Sequence, residues 1–202
     1  MTAPDGRRQR RDRNRDAVVQ AVLDLIREGD LEPGADAVAA RAGLSARSVF
    51  RYFDDLDDLC RAAIDRQLQT VYPFLHTDVD VGADGPLAER IDAVVRQRTR
   101  LFEAMGNVGV VARLRAPFQP LVAEQLTAAR RMLRERMRST LAPELALLDP
   151  AAADTLLAAA DVMCSFESFM LLRGDHGRSA EEATTVLAGG VRALLAASGV
   201  HA

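Results

Sequence analysis

Apolar residues along this chain of 202 recur three and four apart almost throughout, the period of one face of an α-helix, and no stretch alternates as a strand does. From Asp16 onward Ala17, Val18, Ala21, Val22, Leu25 and Ile26 form one stripe, with Gly29 as its stop and Leu31-Glu32-Pro33-Gly34 as a turn. A short helix is predicted over 35–42, with Val38 and Ala39 inward. Gly43 ends it, and Ser45 caps a second short helix over 46–53. Two short helices joined by a glycine-containing turn, behind a longer helix, are the plan of a helix-turn-helix.

The remaining two-thirds reads as a helical body. A long helix over 55–72 carries Leu59, Ala63, Ile64, Leu68 and Val71 inward and ends at Pro73; residues 76–85 are a polar loop. Pro86 starts a helix with Leu87, Ile91, Val94, Val95, Leu101, Phe102 and Met105. Gly106 breaks it, Asn107 caps a short helix to Arg115, and Pro117 and Pro120 introduce the next, to about Leu141. Asp149-Pro150 opens a continuous helix to Arg173, apolar except for a narrow stripe of Asp154, Asp161, Ser165 and Ser168. Ser179 and Glu182 have the spacing of a capping box for a last helix. The fold class expected is all-α, divided into a segment 1–15, a helix-turn-helix domain 16–60 and a helical body 61–202.

Composition narrows the field without naming a function. Ordinary glycine and proline content and two cysteines, Cys60 and Cys164, exclude collagen-like, disordered and disulfide-scaffold classes; both thiols read as reduced and buried. No apolar run approaches the roughly 20 residues of a membrane span, and no apolar stretch follows the amino-terminal charges, so a cytoplasmic protein with no membrane partner is expected. All 26 basic residues are arginine, and the net charge is −3, which argues against wholesale coating of nucleic acid but not against a local basic site.

Such a local site exists. Arg7, Arg8, Arg10, Arg11, Arg13 and Arg15 stand against Asp12 alone in RRQRRDRNR. Two readings stand: a flexible cationic arm that lies along phosphates or enters a minor groove, or a solvated terminus. On the second short helix Val49 and Phe53 are four apart and inward, so Arg47 and Arg51, also four apart, point nearly the opposite way. Arginine is the side chain suited to bidentate contact with guanine O6 and N7. Without further context each is equally a surface arginine.

The stretch VAARAGLSARSVFRYF, Val38 to Phe53, supplies that context: it resembles the signature of the TetR family of bacterial transcription regulators, with Gly43, Leu44, Ser45, Ser48, Val49, Phe50, Tyr52 and Phe53 in the family's places. The resemblance implies a homodimer on double-stranded operator DNA, reading it through Ser45, Ala46, Arg47, Ser48, Phe50, Arg51 and Tyr52, with Arg7, Arg8, Arg10 and Arg11 as further contacts. Ser48 and Tyr52 stand where the family places hydroxyls on phosphate. Two positions depart from the pattern: Gly34 where many relatives have threonine, and Leu56 where the family has lysine, amid Asp54, Asp55, Asp57 and Asp58. That acidic cluster motivates a rival, a helical protein–protein interaction module with a weakened DNA-binding face.

The family's small-molecule effector implies a pocket, for which Phe102, Met105, Val111, Leu114, Phe118, Leu121, Met163 and Phe166 are candidates; the same residues serve equally as plain core. Glu167, on the apolar side of its helix, is either a pocket acid or an ion-pair partner. Phe169, Met170, Val186, Leu187, Gly190, Val191 and Leu194 are the expected dimer interface, a four-helix bundle from two subunits, with an intrachain helix pair as the alternative. Arg130, Arg131, Arg134, Arg136 and Arg138 read as a solvated face. Enzymatic chemistry finds no pattern: His76, His176 and His201 lack ligand-spaced partners, Gly106-Asn107-Val108-Gly109 lacks the third glycine of a dinucleotide loop, and no metal or cofactor is expected. A repressor relieved by its effector is the function expected; effector, operator and the sign of regulation are not legible.

Overall fold

A computed structural model describes residues 3–76 and 85–199, and the side chains of all of these except 3–5, 7, 75 and 76. The described residues are helical, with no strand among them, and form two compact units. One is the chain up to Tyr72 with Met105–Leu126; the other is Pro73–Ala104 with the chain from Thr127 on. The expected domains follow sequence order; these units do not. The polar loop expected over 76–85 falls largely on 77–84, and His201 also lies outside the described residues.

The amino-terminal unit is built on α1 (Ala3–Arg27), α2 (Ala35–Ala42), α3 (Ala46–Val49) and α4 (Leu56–His76). Val18, Val19, Val22 and Ile26 of α1 pack with Val38 of α2, Val49 of α3, and Phe53, Leu59 and Ala63. Fully burying one such aliphatic side chain contributes about 1.5–3 kcal/mol, so these residues hold the two short helices, α2 and α3, that could not stand alone. Exposed Ala17 drops out of the expected stripe and buried Val19 and Leu23 join it. Charged groups lash the same helices together: Arg27 donates to the buried Gln67 at 2.8 Å, and Arg41 forks onto Glu28 at 2.6 and 2.9 Å. That fork holds the Glu28 carboxyl below the usual range.

Three expected helix boundaries are corrected. Helix α1 starts at Ala3 rather than Asp16, so the arginine-rich stretch is helical. Arginine is a good helix former, Pro4 sits in the first turn where its missing N–H costs nothing, and no breaker follows Gly6. Helix α4 passes through Pro73 to His76. The second short helix is one α-turn, after which N–H groups of Arg51 and Tyr52 bond three residues back, to Ser48 and Val49.

Helix α5 (Leu87–Arg115) contributes to both units. Gly106, at φ 46° and ψ −138°, interrupts its helical backbone, and Asn107 donates its side-chain amide to the Ile26 carbonyl at 3.1 Å. A side chain at Gly106 would be strained, because an L-residue pays for positive φ. Helix α6 (Pro120–Thr140) starts in the first unit, where Val122 and Leu126 join Ile64 and Ala112 in a second small core.

The carboxy-terminal unit adds α7 (Ala142–Leu145), α8 (Pro150–Met163), α9 (Phe166–Gly174) and α10 (Ala180–Ala197). Asp149 caps α8 by accepting from Ala151 and Ala152 N–H at 3.0 and 3.1 Å, with Pro150 at the first helical position. The Ser179–Glu182 capping box opens α10, with both bonds made, at 2.8 and 3.1 Å. The helix expected from 149 to 173 is broken: Cys164 ends α8, and Ser165 caps α9 by accepting from Ser168 N–H at 3.2 Å. The break is held from inside by Arg98, which is buried. It donates to the Asp161 carboxylate at 2.8 Å, to the Cys164 carbonyl at 3.2 Å and to the Leu133 carbonyl. A second buried pair, Arg90 with Glu144, also takes up the Thr140 and Gly85 carbonyls.

Pro150–Gly174 corrects the expectation about apolar runs: an 18-residue window reaches a mean hydropathy of 1.5, enough to cross a membrane by length and composition alone. Its break at Cys164 and the arginine inserted there mark it as core helix, since an arginine in hydrocarbon is costly.

Both cysteines are buried and free, Cys60 in the first unit and Cys164 in the second. Burial pushes both thiols up, Cys164 to about 11 despite nearby Arg98. At pH 8 only about one Cys164 in a thousand is thiolate, the reactive form. Native protein is therefore expected to react with a thiol-specific chromogenic disulfide only on the timescale of unfolding, and denatured protein at once with two equivalents. Rapid labelling of two thiols in the native protein would overturn this.

Candidate nucleic-acid interface

The turn between α2 and α3 follows from two residues. Gly43 takes φ 66°, a left-handed conformation that favours glycine; the Leu44 N–H then reaches the Ala39 carbonyl at 2.9 Å, closing α2. Ser45 accepts from the Ser48 N–H at 3.3 Å and starts α3, its hydroxyl lying 3.0 Å from that of Ser48. Gly34, at the N-cap of α2, offers no side-chain cap, which is the cost of the departure noted there.

With Val49 and Phe53 buried, the outer side of α3 and its following turn presents Arg47, Phe50 and Arg51, while Ala46 is half-buried and packs against the edge of the core. Arg47 is exposed, and no hydrogen bond or ion pair among the described residues engages its guanidinium. Arg51 is not directed outward in the same way. Its guanidinium donates to the Tyr52 hydroxyl oxygen at 2.8 Å and lies 5.0 Å from that ring's centroid. Asn14 on α1 donates to the same oxygen at 3.0 Å. These two bonds, Asn14 first, lower the Tyr52 pKa, and with both acceptor positions filled the hydroxyl proton is left to donate outward. Arg15 stacks its guanidinium 4.9 Å above the Phe53 ring. Asn14 and Arg15 thus belong to this surface, although sequence spacing across 38 residues carries no signal of it. Arg8, Arg10 and Arg11 are exposed on α1; the Arg7 side chain lies outside the described residues.

The acidic cluster is engaged internally. Asp55 accepts from the Asp58 N–H at 2.7 Å, capping the start of α4, and Asp58 accepts from the Asp54 N–H at 3.3 Å. Asp58 also pairs with Arg61, and Asp57 with Arg115 at 2.6 Å. Leu56 packs against the core of the unit, which is why an apolar residue stands there.

No family model matches the sequence, and neither does any curated protein. The fold does find relatives. A TetR-family transcriptional regulator from Streptomyces coelicolor superposes with a TM-score of 0.67 at 20% identity, covering 93% of this chain and 85% of that one. A transcriptional regulator from Rhodococcus sp. Rha1 gives 0.66 at 19% identity, over 91% and 96%. A TetR transcription regulator from Haloarcula marismortui gives 0.63 at 16% identity, over 92% and 98%. The chain has the TetR fold.

The residues that the TetR resemblance nominated for an effector pocket do not share one environment. In the amino-terminal unit Val111 is core, Met105 is buried, and Leu114, Phe118 and Leu121 are exposed, Phe118 by 80%. In the other unit Phe102 packs edge-on against Phe166 with centroids 5.6 Å apart and tilts onto Phe169 at 5.8 Å. Met163 fills the space over Gly190, where an added Cβ would lie 2.3 Å from its sulfur. None of these lines the cavity of about 570 Å³ in that unit, whose lining residues are mostly charged residues and threonines. Periodicity locates apolar residues but does not tell a core from a pocket wall.

Glu167 is half-exposed rather than buried, and pairs with Arg130 at 3.2 Å. An ion pair so exposed is worth under about 1 kcal/mol. Glu167→Gln is therefore expected to leave the melting temperature within about 3 °C of wild type; a larger drop would show a second, buried role. Arg134 likewise reaches Asp154 at 3.0 Å, so part of the arginine face of α6 is tied down rather than merely solvated.

The residues nominated for a TetR dimer face differ in exposure. Phe169, Leu187 and Val191 are buried within the protomer; Met170, Gly190 and Leu194 are half-buried; Val186 is exposed. Val162 and Leu171 are exposed as well and were not among the candidates. On a helix apolar all round, composition cannot tell the inward side from the outward.

Proposed function

We propose that this TetR-fold chain is a DNA-binding transcriptional regulator, a cytoplasmic homodimer that represses by occupying operator DNA and is released by a small-molecule effector. The observation that carries it is the split of α3: Val49 and Phe53 anchor one side in the core while Arg47 is left exposed and unengaged on the other. In this reading Arg47 contacts base edges in the major groove, where its planar fork matches guanine. Ser45, Ala46, Ser48 and Phe50 complete the docking surface. Tyr52 donates to a phosphate, and Arg51, together with Asn14, positions it. Arg7, Arg8, Arg10 and Arg11 add phosphate contacts from the first turns of α1.

Dimerisation is supported by the exposed apolar side chains of Val162, Leu171 and Val186 on α8, α9 and α10, since unpartnered apolar surface favours burial against a second copy. The rival reading, an interaction module with a decayed DNA face, rested on Leu56 and the aspartates. Leu56 packs against the core and three of the four aspartates cap or pair within the unit, which weighs against that rival.

Fluorescence anisotropy with duplex DNA from beside the chain's own gene tests the proposal. Binding should be tight at 50 mM salt and weaken steeply as salt rises, and Arg47→Ala should lower affinity by about 10–100-fold, or 1–3 kcal/mol per contact. No binding at low salt would refute it.

A further inference from the structure

Helices α5 and α10 each carry a polar stripe that the DNA-binding reading does not use. On α5 it runs through Asp92, Arg96, Thr99, Arg100 and Glu103, and on α10 through Glu181, Thr184, Thr185 and Arg192; these are one-face helical spacings. The stripes face each other with the helices antiparallel. Asp92 pairs with Arg192 at 2.6 Å at one end, and seven residues along α5 the Thr99 and Thr184 hydroxyls meet at 2.9 Å. Between them lies the cavity of about 570 Å³, within the usual 300–1,000 Å³ of small-molecule sites.

Its floor is Thr99 and Ala188, each 2% exposed, and its rim is charged. Arg96 and Arg100, one turn apart, stand on α5; Glu103 follows them, and Glu181 stands on α10. No hydrogen bond or ion pair among the described residues engages any of these four side chains. Two cations and two acids therefore line one cavity without meeting. Neighbouring arginines at this spacing repel, and Asp92 one turn before Arg96 and Glu103 three residues after Arg100 offset that only in part, since neither forms an ion pair with them.

That arrangement selects a ligand by exclusion. An apolar molecule would desolvate four unpaired charges, a polyanion would meet Glu103 and Glu181, and a polyamine would meet the arginines. A molecule carrying both signs meets a partner at each end, with its carboxylate accepting from the guanidinium forks and its ammonium donating to the acids. We infer that the α5–α10 cavity binds a small zwitterion of the amino-acid or short-peptide class. That this ligand is the effector rests on the regulator reading; that it binds does not.

The test is calorimetric titration of the full chain, without DNA, with the dipeptide lysyl-glutamate, and with succinate and putrescine at equal ionic strength. The dipeptide should bind at least tenfold more tightly than either control. Arg96→Gln with Arg100→Gln, and separately Glu103→Gln with Glu181→Gln, should each weaken it at least tenfold. All four side chains are exposed, so both variants should keep the wild-type melting temperature. No dipeptide binding at millimolar concentration, or equal binding by the variants, overturns the site. A changed oligomeric state in the arginine variant also overturns it, by making the groove an interface between copies. Adding the dipeptide to the protein–DNA complex then separates the two readings: binding without release of DNA removes the effector role alone, whereas absence of DNA binding in an otherwise dipeptide-binding protein removes the regulator reading alone.

Discussion

Arg98→Met is expected to lower the melting temperature by roughly 6–20 °C, from a loss of about 3–5 kcal/mol at 2–4 °C per kcal/mol for a chain of this length. Arg98 is the largest fully buried side chain among the described residues, and its guanidinium serves the Asp161 carboxylate and the Leu133 and Cys164 carbonyls at once. Methionine fills much of the same volume, so the loss reports unsatisfied acceptors rather than a void. The Asp161 side chain keeps 23% exposure, and water reaching it places the effect toward the lower end. Arg98→Lys should recover little, because one ammonium cannot fork onto acceptors on two helices. Asp161→Asn keeps an acceptor and should cost less than Arg98→Met. The loss should appear locally as faster hydrogen exchange at the start of α9, where Ser165 caps. A melting temperature within 3 °C of wild type for Arg98→Met would end this account of the helix break.

Replacing Arg7, Arg8, Arg10 and Arg11 together with alanine should flatten the salt dependence of DNA binding. Each phosphate contact contributes about 0.9 to the slope of log K against log salt, so eight contacts in a dimer account for about 7. Raising salt from 50 to 200 mM would cost the wild type about four powers of ten through these contacts, and the variant none of that share. Alanine is the best helix former, so the variant keeps α1 helical and circular dichroism at 222 nm should not fall. Helical content is compared in the absence of DNA: arginines three and four apart repel along α1, and alanine removes that repulsion. An unchanged slope with undiminished helicity would show that the arginine run is only a solvated helix.

The helix-turn-helix was legible because every signal for it is local. Gly43 needs its left-handed turn, Ser45 its cap, and Val49 and Phe53 their common face within eleven residues of sequence. The capping box at Ser179 and Glu182 is local in the same sense, since donor and acceptor lie three residues apart. Failures begin where local propensity meets tertiary context. Pro73 reads as a stop but lies inside α4, and the stretch from Asp149 to Arg173 reads as one helix although it is broken at Cys164. Leu56 and its aspartates read as a weakened DNA-binding face; the caps and the Asp58–Arg61 pair are local, but Arg115, the partner of Asp57, and the core under Leu56 lie too far along the chain to be seen from spacing.

By itself the sequence determined the helical class, the turn chemistry and the outward arginine of α3, because backbone dihedrals and helical period act over a few residues. Only the tertiary structure decided which apolar residues of α8 to α10 face inward, that Arg98 closes on Asp161 across 63 positions, and that four unpaired charges of α5 and α10 surround one cavity. Burial and charge pairing depend on distance in space, and distance along the chain does not encode it.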